Sequence, residues 1–453
     1  MIQKKKRMTQ EKKVTGISRR GFIKAAGAGM VATGLGANII IPGRVLAGRK
    51  KLKIFQIGFP QSFVEWFKTY AREWGERNDT EVIVDTGFWV SQNAVAEVKA
   101  QKGHDIHLLP WPAAFEGQVI DHREVYQECE KIYGKAIPFA VKNTYNPKTK
   151  KYFGFCDSYP PDPINYRKDL WDGVGMFPDT WENVRVGGAK IKKKYGNPVG
   201  IGLSKELDSS MVLRTILYSY GASVQDQEGN VVINSKQTLE AVKFVRALFE
   251  EAMVPEVLGW DAMSNNGFML RGKGSLVVNA ISVTRAAEKD KVMAEISKKI
   301  WLAKPPSGPV RRMGLPHFRN IYSIWKFAEN IEGARQFLVD YIGDSRKAFL
   351  ACEFYNFPCF PDTVPDLKKL IANDPKADPP DKYKVLEDAM EWTTNVGYPG
   401  YSNAATDETW GKMIIPEMFA KAATGELTPE DAIKEAEARC KDIFAKWKDR
   451  GLV

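Results

Sequence analysis

Leu52-Lys53-Ile54-Phe55-Gln56-Ile57-Gly58 reads as an apolar strand, and the segments that follow it decide the fold class. Phe63, Trp66, Phe67, Tyr70 and Trp74 recur at helical spacing and mark one buried face. Glu81-Val82-Ile83-Val84-Asp85 is a second strand, closed by Thr86-Gly87. Val95 and Val98 mark another helix, and Asp105-Ile106-His107-Leu108-Leu109-Pro110-Trp111 is a third strand. Strands and helices that alternate in this way build a mostly parallel sheet covered by helices.

Toward the C-terminus the pattern becomes more helical. Thr180 is the expected N-cap of a helix opening at Trp181, and Asn234-Ser235 precede one with the face Leu239, Val242, Val245, Phe249 and Met253. Ser275-Leu276-Val277-Val278-Asn279 is strand-like. Thr428-Pro429-Glu430-Asp431 opens a last helix with Thr as N-cap, Pro at N1 and Asp431 completing a capping box. Its apolar stripe is Ile433, Ala436, Cys440, Ile443 and Trp447. About 405 residues after position 48 exceed a single core, so two lobes are expected.

Upstream, Ser18-Arg19-Arg20-Gly21-Phe22-Ile23-Lys24 resembles the twin-arginine export motif of bacteria, a route for folded proteins. A mildly apolar run from Gly21 to Ile41 follows, ending in small residues at Val45-Leu46-Ala47 that resemble a cleavage site. The run is too rich in Gly and Ala for a convincing membrane span. Residues 1–48 are therefore expected to be a signal peptide, removed near Ala47. Gly27-Ala28-Gly29-Met30-Val31-Ala32 fits a dinucleotide fingerprint, but a charged export motif leads into it where a strand is required.

The chain has 66 basic and 55 acidic residues; ten and one of these fall within residues 1–48, which leaves 56 against 54. The basicity thus belongs mainly to the targeting segment, and nucleic-acid binding loses its support. The motifs C-x-x-C, H-E-x-x-H, G-x-S-x-G and G-x-x-x-x-G-K-[ST] do not occur, so neither metal, cofactor nor catalytic residues are expected. His104 and His107, three apart on one strand, should face opposite sides, one exposed and one buried. Of the five cysteines, Cys352 and Cys359 are closest in sequence; an odd count leaves at least one free or paired between chains.

Tyr166-Arg167-Lys168-Asp169-Leu170-Trp171 followed by Phe177-Pro178-Asp179-Thr180-Trp181-Glu182 resembles a block of the maltose-type extracellular solute-binding proteins. Glu228-Gly229-Asn230 with Ile233-Asn234-Ser235, Gly267–Gly274 and the Pro305–Pro309 turn are similar to the same family in order and spacing. Arg167 after Tyr166, and His317-Phe318-Arg319-Asn320 where glycines are commoner, depart from it. The resemblance implies a periplasmic-binding-protein-like α/β fold, with two lobes around mixed sheets joined by a hinge. Lobe 1 is expected at 49–160 and 312–365, lobe 2 at 161–311 and 366–453. It also implies a periplasmic monomer that delivers a small polar solute, a sugar first, to the permease subunits of an inner-membrane ABC importer. The twin-arginine translocase would be a partner only during export.

Ligands of open α/β sheets bind beyond the carboxyl ends of the strands, which selects the candidate residues. Trp111 and Trp89 follow strand ends, where a flat aromatic can stack on a sugar ring; either can instead pack a loop. Tyr159 lies in the first crossing between lobes. Asp208 either accepts two sugar hydroxyls or caps the helix that begins with Ser209. Asn279, Ser282 and Tyr322 lie at strand termini, and Tyr398 and Tyr401 in a constrained turn before a helix. A polyamine receptor of the same fold would need several cleft carboxylates, for which Asp208, Asp157 and Asp261 are the candidates. A periplasmic enzyme exported by the same route is the third reading.

Overall fold

Strands β1 (Lys50–Ile57), β2 (Thr80–Gly87) and β3 (Ile106–Leu108) run parallel in the computed structural model, which describes residues 49–88 and 90–453. The export motif, the fingerprint within it and Trp89 lie outside the described residues. The helix Gln61–Arg77 buries Phe63, Val64, Phe67, Tyr70, Ala71 and Trp74, a stripe at three- and four-residue spacing, against Phe337 and Tyr341. Phe67 is fully buried, so Phe67→Ala would cost on the order of 3–5 kcal/mol. Near the helix end, a Cβ on Gly75 would lie 2.4 Å from the carbonyl oxygen of Thr80, so only glycine lets the chain turn back this closely into β2.

A small hairpin of β4 (Tyr145–Asn146) and β5 (Lys151–Tyr152) leads to β6 (Phe155–Tyr159). The chain then crosses into a second sheet built from β7 (Ile164–Arg167), β8 (Val199–Gly200), β9 (Leu276–Val278) and β10 (Ile300–Ala303), in the order β10-β7-β9-β8. It returns to the first sheet through β11 (Asn320–Ile324) and β12 (Phe357–Pro358), giving the order β12-β6-β11-β3-β1-β2. Both sheets are mixed: β11 runs antiparallel to β3 and β6, and β7 antiparallel to β9 and β10. The chain returns from the other lobe to form β11, and a returning strand need not run with the parallel units.

Each sheet has its own apolar core. The second core takes the apolar stripe of the helix Pro429–Asp449, including Ile433, Ala436, Cys440 and Trp447. Residues 366–392, expected in the second lobe, touch both: Ile371, Tyr383, Leu386 and Trp392 pack in the first core, while the Tyr383 hydroxyl bonds Thr284 and Glu288 and Asp374 pairs with Arg285 of the second lobe. Leu315, expected in the first lobe, packs in the second core. These short turns carry apolar side chains without a period that points to either sheet.

Local chemistry follows the sequence at most helix starts. Thr180, Ser235 and Thr428 accept hydrogen bonds from the third residue of their helices. Asp431 differs: its carboxylate accepts from the Thr428 hydroxyl, so the reciprocal capping box does not form there. Val95 is exposed, and the helix Val90–Ala100 buries Val90 and Ala94 instead. His104 and His107 are not on opposite faces, because His104 precedes the strand; their rings lie 6.1 Å apart and both pack on Phe55. Burial pushes His107 down to about 4. All five cysteines are buried thiols, and the near neighbour of Cys359 is Cys156, with sulfurs 3.7 Å apart.

Three crossing segments join the lobes. The main chain of His317 donates to the Pro160 carbonyl at 2.9 Å, tying the first crossing to the second, and Gly314 of the second donates to the Trp392 carbonyl and accepts from the Thr394 N–H of the third. Beside them, Arg319 donates to Asp407 (3.1 Å), Asn143 (3.0 Å) and Ser402 (3.2 Å). The second Asp407 oxygen accepts from the Ala113 main chain at 2.9 Å. Asp407 lies on the helix Ala404–Gly411, which Asn403 opens with a true capping box.

Candidate functional site

Because β1, β2 and β3 are parallel, their carboxyl ends open on the same side, and the loops leaving them form one wall of a cleft of about 570 Å³. Phe59-Pro60-Gln61-Ser62 follow β1, Phe88 follows β2, and Pro110-Trp111 follow β3. The facing wall comes from the second lobe: Asn279 at the end of β9, and Ser282, Arg285 and Lys289 on the helix Ser282–Lys289. The crossing segment supplies His317 and Phe318.

Three of the residues chosen from sequence, Trp111, Asn279 and Ser282, line this cleft. Trp111 also packs on Trp410 of the second lobe (ring centroids 5.6 Å), with the Arg319 guanidinium 6.0 Å from its ring. It therefore has a packing role as well as a cleft face, and its indole N–H is buried without a partner. Trp89 is outside the described residues, but Phe88 and Val90 on either side of it line the cleft.

Asp208 is buried just behind the wall. Glu206, not Asp208, caps the helix Leu207–Ser219, and Asp208 accepts from Asn265 (2.6 Å) and Asn279 (3.4 Å). His317 stands between Asp162 and Asp208, its ring nitrogens 3.3 and 3.6 Å from their carboxylates. Burial alone would lower the imidazole, but Asp162 and Asp208 raise it to about 9. Burial raises Asp208 to about 7; His317 opposes the shift, and Glu206 and Asp162 reinforce it.

Four tyrosines do not reach the cleft. Tyr159 points from β6 into the first core against Phe139, with ring centroids 4.7 Å apart. Tyr322 faces the same core from β11, and its hydroxyl accepts from Gln56 at 2.6 Å. Both sit on interior strands, where alternation decides the side on which a ring emerges. Tyr398 packs on Tyr218 and pairs with Arg311. Tyr401 lines a separate pocket of about 310 Å³ with Asn146 and Gln225. Their turn is tied by Gln225 to the carbonyls of Gly397 and Tyr401, away from the strand ends. Asp157 is buried beside Ser158 and Tyr341, and Asp261 is exposed in a turn with Ser264.

Sequence reasoning missed His317, Phe59, Asn266, Arg285 and Tyr355. Phe59-Pro60 carried the same strand-end signal as Trp111 and was legible. His317 was visible only as a departure from a glycine-rich pattern, and Arg285 and Tyr355 lie in segments with no strand end to flag them.

Two α/β lobes with a mixed sheet in each, crossing segments between them and a cleft at the strand ends define the fold of the maltose-type periplasmic binding proteins. Residues 130–345 match the family model of bacterial extracellular solute-binding proteins. Maltose-bound T. maritima MalE3 superposes with a TM-score of 0.70 at 20% identity, covering 87% of this chain and 99% of that one. A sugar transporter from Arthrobacter chlorophenolicus with bound laminaribiose gives 0.72 at 16%, covering 86% and 99%. A solute-binding protein from Agrobacterium radiobacter in complex with ribitol gives 0.68 at 16%, covering 87% and 98%. Curated binding proteins of Brucella abortus and Brucella suis are 24% identical over 153 residues, 33% of this chain and about a third (36%) of their own length. Among the described residues, no helix is long and apolar enough to cross a membrane.

Proposed function

We propose that this protein is the substrate-binding component of an ABC importer, capturing a small polar solute, a carbohydrate first, by closure of its two lobes. The observation that carries the reading is the cleft itself: it opens at the carboxyl ends of β1–β3, faces Asn279 and Ser282 across the gap, and has the hinge segments as its floor. The family match and the sugars and ribitol held by structures of the same fold support it. Lobe 1 is read as 49–160 and 312–365, and lobe 2 as 161–311 and 366–453, with Tyr383 and Asp374 bonded to Thr284, Glu288 and Arg285 of the second lobe.

A polyamine would need uncommitted carboxylates. Asp162 and Asp208 are held by His317, and Asp208 also by Asn265, which favours an uncharged solute. We read residues 1–48 as a twin-arginine signal cut near Ala47, placing a monomeric receptor outside the cytoplasmic membrane beside its permease. The protein is read as a receptor, not an enzyme. A thermal-shift screen over sugars, polyols, polyamines and amino acids tests this, since a ligand bound by the folded state raises Tm by mass action. A shift with sugars or polyols is expected; a shift confined to polyamines would overturn the carbohydrate reading.

A further inference from the structure

On the second-lobe wall of the cleft the polar groups are committed to one another, while on the first-lobe side the Ser62 hydroxyl and the Trp111 indole N–H are buried without partners. Arg285 pairs with Glu288 (3.0 Å) and Asp374 (2.5 Å), and its guanidinium lies 3.9 Å from the centre of the Tyr383 ring. Lys289 pairs with Glu353 at 2.5 Å. The amides and hydroxyl on the same wall form a closed set: Asn279 donates to Asn266 (2.5 Å), Asn266 to Ser282 (3.1 Å), and Ser282 back to Asn279 (3.4 Å). An anionic solute finds no uncommitted cation on this wall, and a cationic one meets His317 in front of the buried carboxylates.

Most of the remaining cleft surface is apolar. Phe59 and Phe318 both pack on Tyr355, with centroids 5.1 and 6.2 Å apart, and make one continuous aromatic wall. At the mouth, Phe88 from the first lobe is 66% exposed and Met263 from the second is 70% exposed. Large apolar side chains left open at the lips of a cleft, one on each lobe, mark surface that a ligand covers. A bare sugar buried there would leave hydroxyls without partners, and each unpaired polar group costs free energy. An apolar substituent needs none.

We infer that the solute is an uncharged amphiphile, a glycoside carrying an aromatic aglycone. Its sugar lies at the Asn279–Ser282 corner beside the Trp111 ring, and its aromatic ring lies along Phe59, Tyr355 and Phe318 beneath Phe88 and Met263. This rests on the carbohydrate-receptor reading and narrows it.

The test is calorimetric titration of the purified protein with matched pairs. Glucose, galactose, xylose and maltose are each compared with their 4-nitrophenyl β-glycosides. At least one aryl glycoside should bind tenfold or more tightly than its parent, about 1.4 kcal/mol. Phe88→Ser, at an exposed position that folding does not depend on, should shrink that ratio. Parents that all bind within tenfold of their aryl partners would overturn the inference and leave the carbohydrate receptor standing. A ratio unchanged in Phe88→Ser would also overturn it, because the ring would then lie elsewhere. No binding by either series would overturn both readings.

Discussion

Asp407→Asn should destabilise the protein by about 3 kcal/mol, because it leaves the buried guanidinium of Arg319 without its counter-charge. Arg319 is 1% and Asp407 6% exposed, so water cannot replace the lost partner. Breaking a buried pair typically costs 3–5 kcal/mol. Asn143 and Ser402, which accept two further bonds from Arg319, hold the expectation at the lower end of that range. Removing both charges in Arg319→Met with Asp407→Leu strands no ion. What remains is chiefly the orphaned Ala113 N–H, about 1–3 kcal/mol. The double variant should therefore be no less stable than Asp407→Asn, and far more stable than the two single losses added together. Urea denaturation followed by tryptophan fluorescence, with the fold checked by circular dichroism, measures Asp407→Asn, the double variant and its two single components Arg319→Met and Asp407→Leu. A single substitution that costs less than 1 kcal/mol, or single losses that simply add, would refute the reasoning.

His317 gives a pH signature. Its pKa is raised from 6.5 to about 9 in the fold, so its stabilisation is complete below pH 6.5 and lost as pH rises through 9. Against His317→Gln, the native protein should lose on the order of 2–3 kcal/mol more stability between pH 6 and pH 9.5; parallel pH profiles would show that Asp162 and Asp208 do not hold the proton there. Trp111→Ala should weaken solute binding by at least ~1 kcal/mol while the fold persists, and calorimetry showing unchanged affinity would assign the ring to loop packing alone. Thr180→Ala removes the acceptor for the Asn183 N–H and should lower stability by ~1 kcal/mol, with no effect if the helix end is already frayed.

The fold was legible where period and capping agreed. Phe63, Phe67, Tyr70 and Trp74 fix a helix with one buried face, and Thr180, Ser235 and Thr428 announce the helices that follow them. The candidate site was legible only as far as the strand-end rule reaches, which is to Trp111, Asn279 and Ser282. The sequence places Tyr159 in a crossing and Tyr322 at a strand start; Tyr322 lies in the middle of β11, and each side chain points into the first core, since a one-residue difference in register sends a ring to the other face. His317 carries no local signal, because its surroundings come from Asp162 and Asp208, 155 and 109 positions upstream in the sequence.

The sequence alone determined the alternation of strands and helices, the helix starts, the near-neutral balance beyond residue 48, and the side of the sheet on which the cleft opens. These depend on the spacing of side chains along one segment and on the handedness of parallel β–α units. Tertiary structure decided that residues 366–392 touch both lobes, which aromatics face the cleft, and that the charges of its second-lobe wall are spent on one another. Those outcomes depend on pairs of side chains that the chain brings together only when its crossing segments bring the two lobes edge to edge.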